Sequence, residues 1–355
     1  MGNRVSSDRT SRIAMATADC GSSIAPAPES ATGIASAWLS VLNTQRPPSP
    51  TSTARPSSAT STTLFSVAGT TSLAGLSEIN RMDLEYDMLR HIFNRPILHA
   101  IPTKQPINIL DVHCGSGIWA LELAAQHPNA IVFALSSTPT YPAVCRPHHC
   151  HFDLYDPVSP LPDRIPVPDQ TMDILHQRML AHTLPQRSLL SHFQELFRVA
   201  RPGAVLELME TDARVYRCGP TGEQFNAWTS EWQIQLGIHP HTVDPDPAHE
   251  DRVVHALRQA GFIDIVWDVV SIPVGRWPSP ENSSAETWEM ERQVGAMAME
   301  NLAAAWSNIL KPQVIHSWKA CDADEWERML LRWKQDVVRD HGYTAIRVYM
   351  AKKPV

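Results

Sequence analysis

Apolar positions along this chain repeat with two different periods, and the changes of period predict its elements. Ile107, Ile109, Leu110 and Val112 form a short, nearly continuous apolar run. Such a run suits a strand buried on both faces of a parallel sheet. Similar runs fall at 130–135, 151–155, 172–176 and 204–209. Helical spacing appears between them, at 118–126 before Pro128 and at 186–200, where Leu189, Phe193, Leu196 and Ala200 share a face. Upstream, Ser77 can cap a helix through 81–93, with Leu84, Met88, Leu89 and Phe93 on one side. This helix either packs on the domain or forms a lid over a ligand.

Beyond residue 210 the pattern predicts helices at 223–236, 249–260, 285–310 and 323–338, with Gly261 as a C-terminal cap. Strands at 262–272 and 344–350 flank the last two helices and should pair antiparallel at a sheet edge. The expected fold class is α/β: a doubly wound, mostly parallel seven-stranded sheet with helical lid insertions.

Composition adds a boundary. Residues 1–72 are rich in Ser, Thr, Ala and Pro and poor in large apolar side chains, which predicts a disordered tail. Within it, 36–42 suits a transient helix at most, and Met1-Gly2-Asn3-Arg4-Val5-Ser6 matches a myristoylation pattern. The folded domain is expected over 73–355, with its ligand-binding core at 107–210 and lid helices plus an edge strand over 211–340. The formal charge of −7 and the absence of a basic run argue against a nucleic-acid binder. No stretch reaches membrane-spanning length. Six irregularly spaced cysteines do not form a disulfide framework, so a reducing compartment is expected: the cytoplasm, or the nucleus for a regulatory protein.

The candidate chemistry gathers behind the first strand. Asp111-Val-His-Cys-Gly-Ser-Gly117 places two glycines between a strand and a helix. Glycines admit a ligand close to the backbone, and a helix start offers free N–H groups to an anionic group. His176 stands just past the fourth strand, where it can act as general base or simply pack; His182 is a weaker candidate of the same kind. Cys145-Arg-Pro-His-His-Cys-His151 is one compact cluster without zinc-like spacing, so no metal is expected. Glu207 and Glu210 point to opposite faces of a strand and do not read as a hydrolytic pair. Eleven tryptophans, most after residue 227, suggest a thick core or an apolar pocket; Trp228, Trp232, Trp288, Met290, Met297 and Trp306 are its candidate lining.

Several motifs then agree in order. Ile109 to Trp119, Ile165 to His176 and Phe197 to Glu207 resemble the cofactor loop, fourth strand and Pro-Gly turn of class I S-adenosylmethionine-dependent methyltransferases. Ile174-Leu-His-Gln-Arg178, Ala260-Gly-Phe262, Ile272-Pro-Val-Gly-Arg-Trp277 and the final Ala351-Lys-Lys-Pro354 are similar to the fungal secondary-metabolism group, which includes the LaeA-like regulators. The resemblance covers about residues 78–355. It implies S-adenosylmethionine as cofactor, held by Asp111, His113, Gly115, Gly117, Ser136, Asp156 and Leu175, with Leu154 and Tyr155 flanking the adenine. It implies methyl transfer to a small-molecule acceptor, favouring oxygen of an apolar metabolite, with His176 as catalytic base. Regulatory methylation with a protein partner and a non-catalytic binding subunit are the alternatives. A nicotinamide-dependent oxidoreductase lacks support, because the third glycine and the ribose acid are missing.

Two departures from the pattern stand out. His113 occupies the position of the first glycine, and Ala134 was matched to the ribose-binding acid, with Ser136, Ser137 and Thr138 as substitutes.

Overall fold

Six residues that are almost all buried, Ile107–Val112, form the central strand β1 because neither face can meet water. The computed structural model describes residues 77–99, 101, 105–142, 146–157, 164–238, 251–279 and 285–355. The expected tail, its myristoylation pattern and the 36–42 helix lie outside these residues.

Around β1 stand β2 (Ala130–Ser136), β3 (Cys150–Leu154), β4 (Met172–Arg178), β5 (Ala200–Tyr216), β6 (Ile263–Pro273) and β7 (Tyr343–Lys352), in spatial order β3-β2-β1-β4-β5-β7-β6. The first five are parallel, and β7 runs antiparallel to both β5 and β6. The doubly wound, mostly parallel seven-stranded sheet and its antiparallel edge pair are as the periodicity predicts. Strand order reverses between β1 and β4, which opens a crevice at their carboxyl ends.

The helices are α1 (Glu78–Phe93), α2 (Ile118–Gln126), α3 (Gln186–Val199), α4 (Gly219–Gln235), α5 (Arg252–Ala260), α6 (Ala285–Ala305) and α7 (Ala323–Arg339). Ser77 Oγ caps α1 by accepting the Asn80 amide, and Gly261 ends α5 in the left-handed region at φ 105°. Helix α4 begins four residues earlier than its apolar stripe predicts, because Pro220 is tolerated in a first turn. Past α6 the predicted continuous helix loosens into π-helical turns at Trp306–Leu310 and Gln313–Ser317. Strand β5 runs well beyond 209 because β7 pairs with it up to Tyr216, across an irregularity at Thr211–Val215.

One face of the parallel half packs Leu110, Leu175, Leu206 and Leu208 against α3 and α5. The other packs Ile109, Ile174 and Val132 against Trp119 and Leu123 of α2. A second core joins α1, α4, α6 and α7 to β6 and β7. Among the described residues no helix is long and apolar enough to cross a membrane.

Candidate functional site

At the carboxyl ends of β1 and β4 a cavity of about 300 Å³ opens, reaching from His113, Cys114, Gly115 and Ser116 to Trp232, Leu302, Trp306 and Leu310. Helix α1 roofs it. Glu78, Arg81, Met82, Glu85 and Met88 recur at helical spacing and present one stripe to the cavity. The helix packs on the domain through Met88, Leu89, Ile92 and Phe93 and also borders the cavity. Arg81 donates to Asn301 Oδ1 at 2.9 Å and Asn308 donates to Glu78 Oε2 at 3.1 Å, so α1 is tied to the helix and π-turns that close the far wall.

The loop after β1 is shaped by backbone demands. Gly115 has φ +58°, and a Cβ there would lie 2.8 Å from Met82 Sδ. Gly117 has φ +81°, and its Cβ would lie 2.6 Å from the Phe152 ring. Any larger residue at either position would displace what covers it. His113 also adopts the left-handed region, at φ 70°, a conformation that glycine takes without steric cost. Its Nδ1 donates to the Arg178 carbonyl at 3.2 Å across the β1–β4 crevice. Burial holds its pKa below the ordinary value, so the ring is neutral and Nε2 keeps its lone pair. Helix α2 starts behind Gly117 without a side-chain cap. The Gly115 carbonyl accepts the Thr140 hydroxyl at 2.6 Å, and Ser116 Oγ lies 3.4 Å from the Ile118 amide; the glycine loop at the start of α2 still suits the carboxylate end of S-adenosylmethionine.

The remaining predicted residues fall into three groups. Ser136 and Asp156 stand at the ends of β2 and β3, joined where the Tyr155 amide donates to the Ser136 carbonyl at 3.0 Å. Ala134 pairs with Asp111 inside the sheet, and the strand ends at Ser136, two residues on. Leu154 is exposed beside them, whereas Tyr155 is buried with its hydroxyl on His192, and so does not flank a ring.

Asp111, His176 and Glu207 lie side by side on β1, β4 and β5, fully buried and off the cavity lining. His176 Nδ1 meets Asp111 Oδ1 at 3.1 Å, its Nε2 lies 3.8 Å from Glu207 Oε1, and its ring stacks on Trp119 at 3.9 Å. Glu207 Oε2 accepts the amides of Leu98 and His99, tying down the chain between α1 and β1. This arrangement corrects the expectation of a catalytic His176. Sealed between two carboxylates and a tryptophan, it cannot meet an acceptor here, and its geometry is that of a structural cross-tie. Asp111 serves the same tie. Leu175 faces the opposite core, between Leu110 and Leu206, and likewise does not reach the cavity.

Of the apolar candidates, Trp232 and Trp306 line the cavity. Trp228 stacks on Trp326, Met290 and Met297 pack into the second core, and Trp288 lies under Arg292. Residues that sequence reasoning missed include Arg81, Glu85, Arg178, Thr229 and Gln233. The heptad-like stripe of α1 was the one available signal, since polar residues on a buried face require something polar to meet. His149 Nε2 donates to the Ala124 carbonyl at 3.0 Å, and no cluster of metal-binding side chains occurs among the described residues.

Comparison with known proteins gives the family. A family described as "Methyltransferase domain" matches residues 86–293, more than half of the chain. The chain is 24% identical over 292 residues to the secondary metabolism regulator laeA of Monascus pilosus, covering 77% of this chain and 72% of that protein. It is 26% identical over 259 residues to the protein-methionine methyltransferase laeA of Emericella nidulans, covering 69% and 62%. Phosphoethanolamine N-methyltransferase 2 of Haemonchus contortus, solved with S-adenosyl-L-methionine, is similar at a TM-score of 0.41 and 14% identity, over 72% of this chain and 50% of that one. The chain belongs to the methyltransferase domain family, with the class I, S-adenosylmethionine-dependent architecture and LaeA-like relatives.

Proposed function

We propose that this protein transfers the methyl group of S-adenosylmethionine to an oxygen of a small, largely apolar acceptor in fungal secondary metabolism. The cavity beside the glycine loop carries this reading. Its loop end has Gly115 and Ser116 at the start of α2 for a charged cofactor, and its far end has Trp232, Leu302, Trp306 and Leu310 for an apolar acceptor. Its volume of about 300 Å³ lies at the small end of the range for small-molecule sites. The bound cofactor would supply a methyl group already on a good leaving group. The protein's own task is to align the acceptor and exclude water, which α1 and the α6 wall do by closing over the crevice.

The residues proposed to hold the cofactor are His113, Gly115 and Ser116 at the amino-acid end, with Ser136 and Asp156 at the nucleoside end. Isothermal titration of the full chain with S-adenosylmethionine and S-adenosylhomocysteine tests this. Micromolar binding that is lost in Gly115→Arg supports the site; a folded protein that binds neither compound at millimolar concentration removes the reading.

A second reading rests on the relatives named as regulators of secondary metabolism. In it the protein methylates a protein partner, and its place is the nucleus rather than the cytoplasm. Co-purification of one stable partner from nuclear extract, methylated only in the presence of active enzyme, would favour it over the metabolite reading.

A further inference from the structure

Behind the cavity wall runs a chain of hydrogen-bonded, buried polar side chains. The Tyr155 hydroxyl lies 3.3 Å from His192 Nδ1. His192 Nε2 lies 2.6 Å from Gln177 Oε1. Gln177 Nε2 donates to Glu210 Oε1 at 2.9 Å. Glu210 Oε2 lies 3.4 Å from His182 Nδ1, and His182 lines the cavity. Tyr155, His192, Gln177 and Glu210 are each at most 5% exposed.

The chemistry of each member sets the direction of the whole chain. An amide oxygen only accepts, so His192 Nε2 carries the proton. Burial, above all, brings the His192 pKa down to about 4, so its ring is neutral and Nδ1 accepts from Tyr155. Gln177 then turns its NH₂ to Glu210. Burial pushes the Glu210 carboxyl up, but the hydrogen bonds from the His182 ring, the Ala181 amide and Gln177 oppose it, and the group stays below its ordinary range. An ionised carboxylate accepts only, so the proton shared with His182 sits on Nδ1. In the neutral ring the remaining nitrogen, Nε2, has the lone pair.

The backbone at His182 is also fixed. It forms a short 3₁₀ turn, Ala181–Thr183. Glu210 accepts its amide at 3.3 Å, Gln233 reaches its carbonyl at 3.5 Å, and the Arg252 guanidinium caps the Ala181 carbonyl.

We propose that His182 is the general base for methyl transfer, with Glu210, Gln177, His192 and Tyr155 as positioning residues, and that the acceptor is a hydroxyl compound, a phenol in the simplest case. This inference rests on the methyltransferase reading of the same cavity. In the step, the acceptor oxygen forms its bond to the methyl carbon while the carbon–sulfur bond breaks and leaves its electron pair on sulfur. The hydroxyl proton passes to His182 Nε2. A thioether acceptor has no proton to lose and would not use this device.

The test is nitrogen NMR on the full chain carrying ¹⁵N-histidine, with the His182 signals assigned from His182→Gln. At pH 8 the wild-type ring should be protonated on Nδ1 alone. In Glu210→Gln, a side chain that keeps its oxygen on Gln177 and Leu180 gives up the His182 amide and turns its NH₂ to the His182 ring, which should switch to the Nε2–H tautomer. Phenol added to the S-adenosylhomocysteine complex should move the Nε2 resonance by more than the Nδ1 resonance. His182→Gln should bind S-adenosylhomocysteine within about twofold of wild type by calorimetry.

A wild-type ring protonated on Nε2, or an Nε2 signal indifferent to phenol, overturns the base assignment while cofactor binding still supports the methyltransferase reading. Failure of S-adenosylhomocysteine and S-adenosylmethionine to bind the folded wild type overturns both.

Discussion

His113 concentrates the tension between fold and function in one residue. A side chain with a Cβ at φ 70° costs about 1–2 kcal/mol relative to glycine. Its return is the hydrogen bond to the Arg178 carbonyl, worth about 1 kcal/mol net. His113→Gly should therefore shift the unfolding free energy by less than about 1 kcal/mol, because relief of strain and loss of the bond nearly cancel. His113→Val keeps the strain, worsens it by β-branching and loses the bond, so it should cost about 2–3 kcal/mol. Urea denaturation of the two variants checks this; equal midpoints would mean that the backbone here is not strained.

His192 gives a pH signature at the same scale. Its folded pKa, about 4, lies below the ordinary 6.5, so the unfolded chain binds the extra proton first. Stability from this group is complete above pH 6.5 and is lost as pH falls toward 4, by about 3 kcal/mol at the end of the window. The acid limb of a stability–pH curve should be shallower in His192→Gln than in wild type. An unchanged limb would show that His192 charges freely in the folded protein. None of this was legible beforehand. Residue spacing put Glu210 and Glu207 on opposite faces, as they are, yet their partners come from β4, the β4 exit and the α1–β1 connection, tens of residues away.

Elements were more legible than contacts because periodicity reports which face is covered and not by what. The apolar runs marked all seven strands, and the antiparallel edge pair followed from two strands flanking a helical insertion. The π-turns after α6 were not legible, since helical spacing alone cannot distinguish a four-residue from a five-residue hydrogen-bond step. Their effect is functional: Trp306, Ile309 and Leu310 all reach the cavity from this stretch.

The α1 roof offers an element-scale prediction. Arg81 bonds Glu78 and Asn301 and lies 3.5 Å from Glu85, three partners for one mostly buried guanidinium. A hydrogen bond to a charged group contributes about 1.5–3 kcal/mol. Arg81→Met should raise amide exchange across residues 78–93 by about tenfold or more and weaken cofactor binding, while strands β1 and β4 keep their protection. Exchange that rises equally in β1 would mean that α1 unfolds only with the whole domain.

For the whole molecule, what matters is that two cores of different origin meet at one cavity. The parallel half supplies the glycine loop, a placement legible from the strand–glycine–helix motif. The helical half supplies the apolar wall, of which the sequence identified only Trp232 and Trp306, because aromatic residues crowd both the wall and the core behind it. If the two ends serve cofactor and acceptor separately, they should be separable by mutation. Ala298 of α6 is buried and lines the far end. Ala298→Phe forces a ring in beside the cavity from a position only 1% exposed, so it should carry the roughly 1–3 kcal/mol stability cost of ordinary overpacking. S-adenosylhomocysteine should bind this variant within about threefold of wild type, whereas the phenol response of His182 Nε2 should vanish. Loss of cofactor binding together with the phenol response would instead mean that the cofactor reaches the Trp306 wall, and that the acceptor enters from another side.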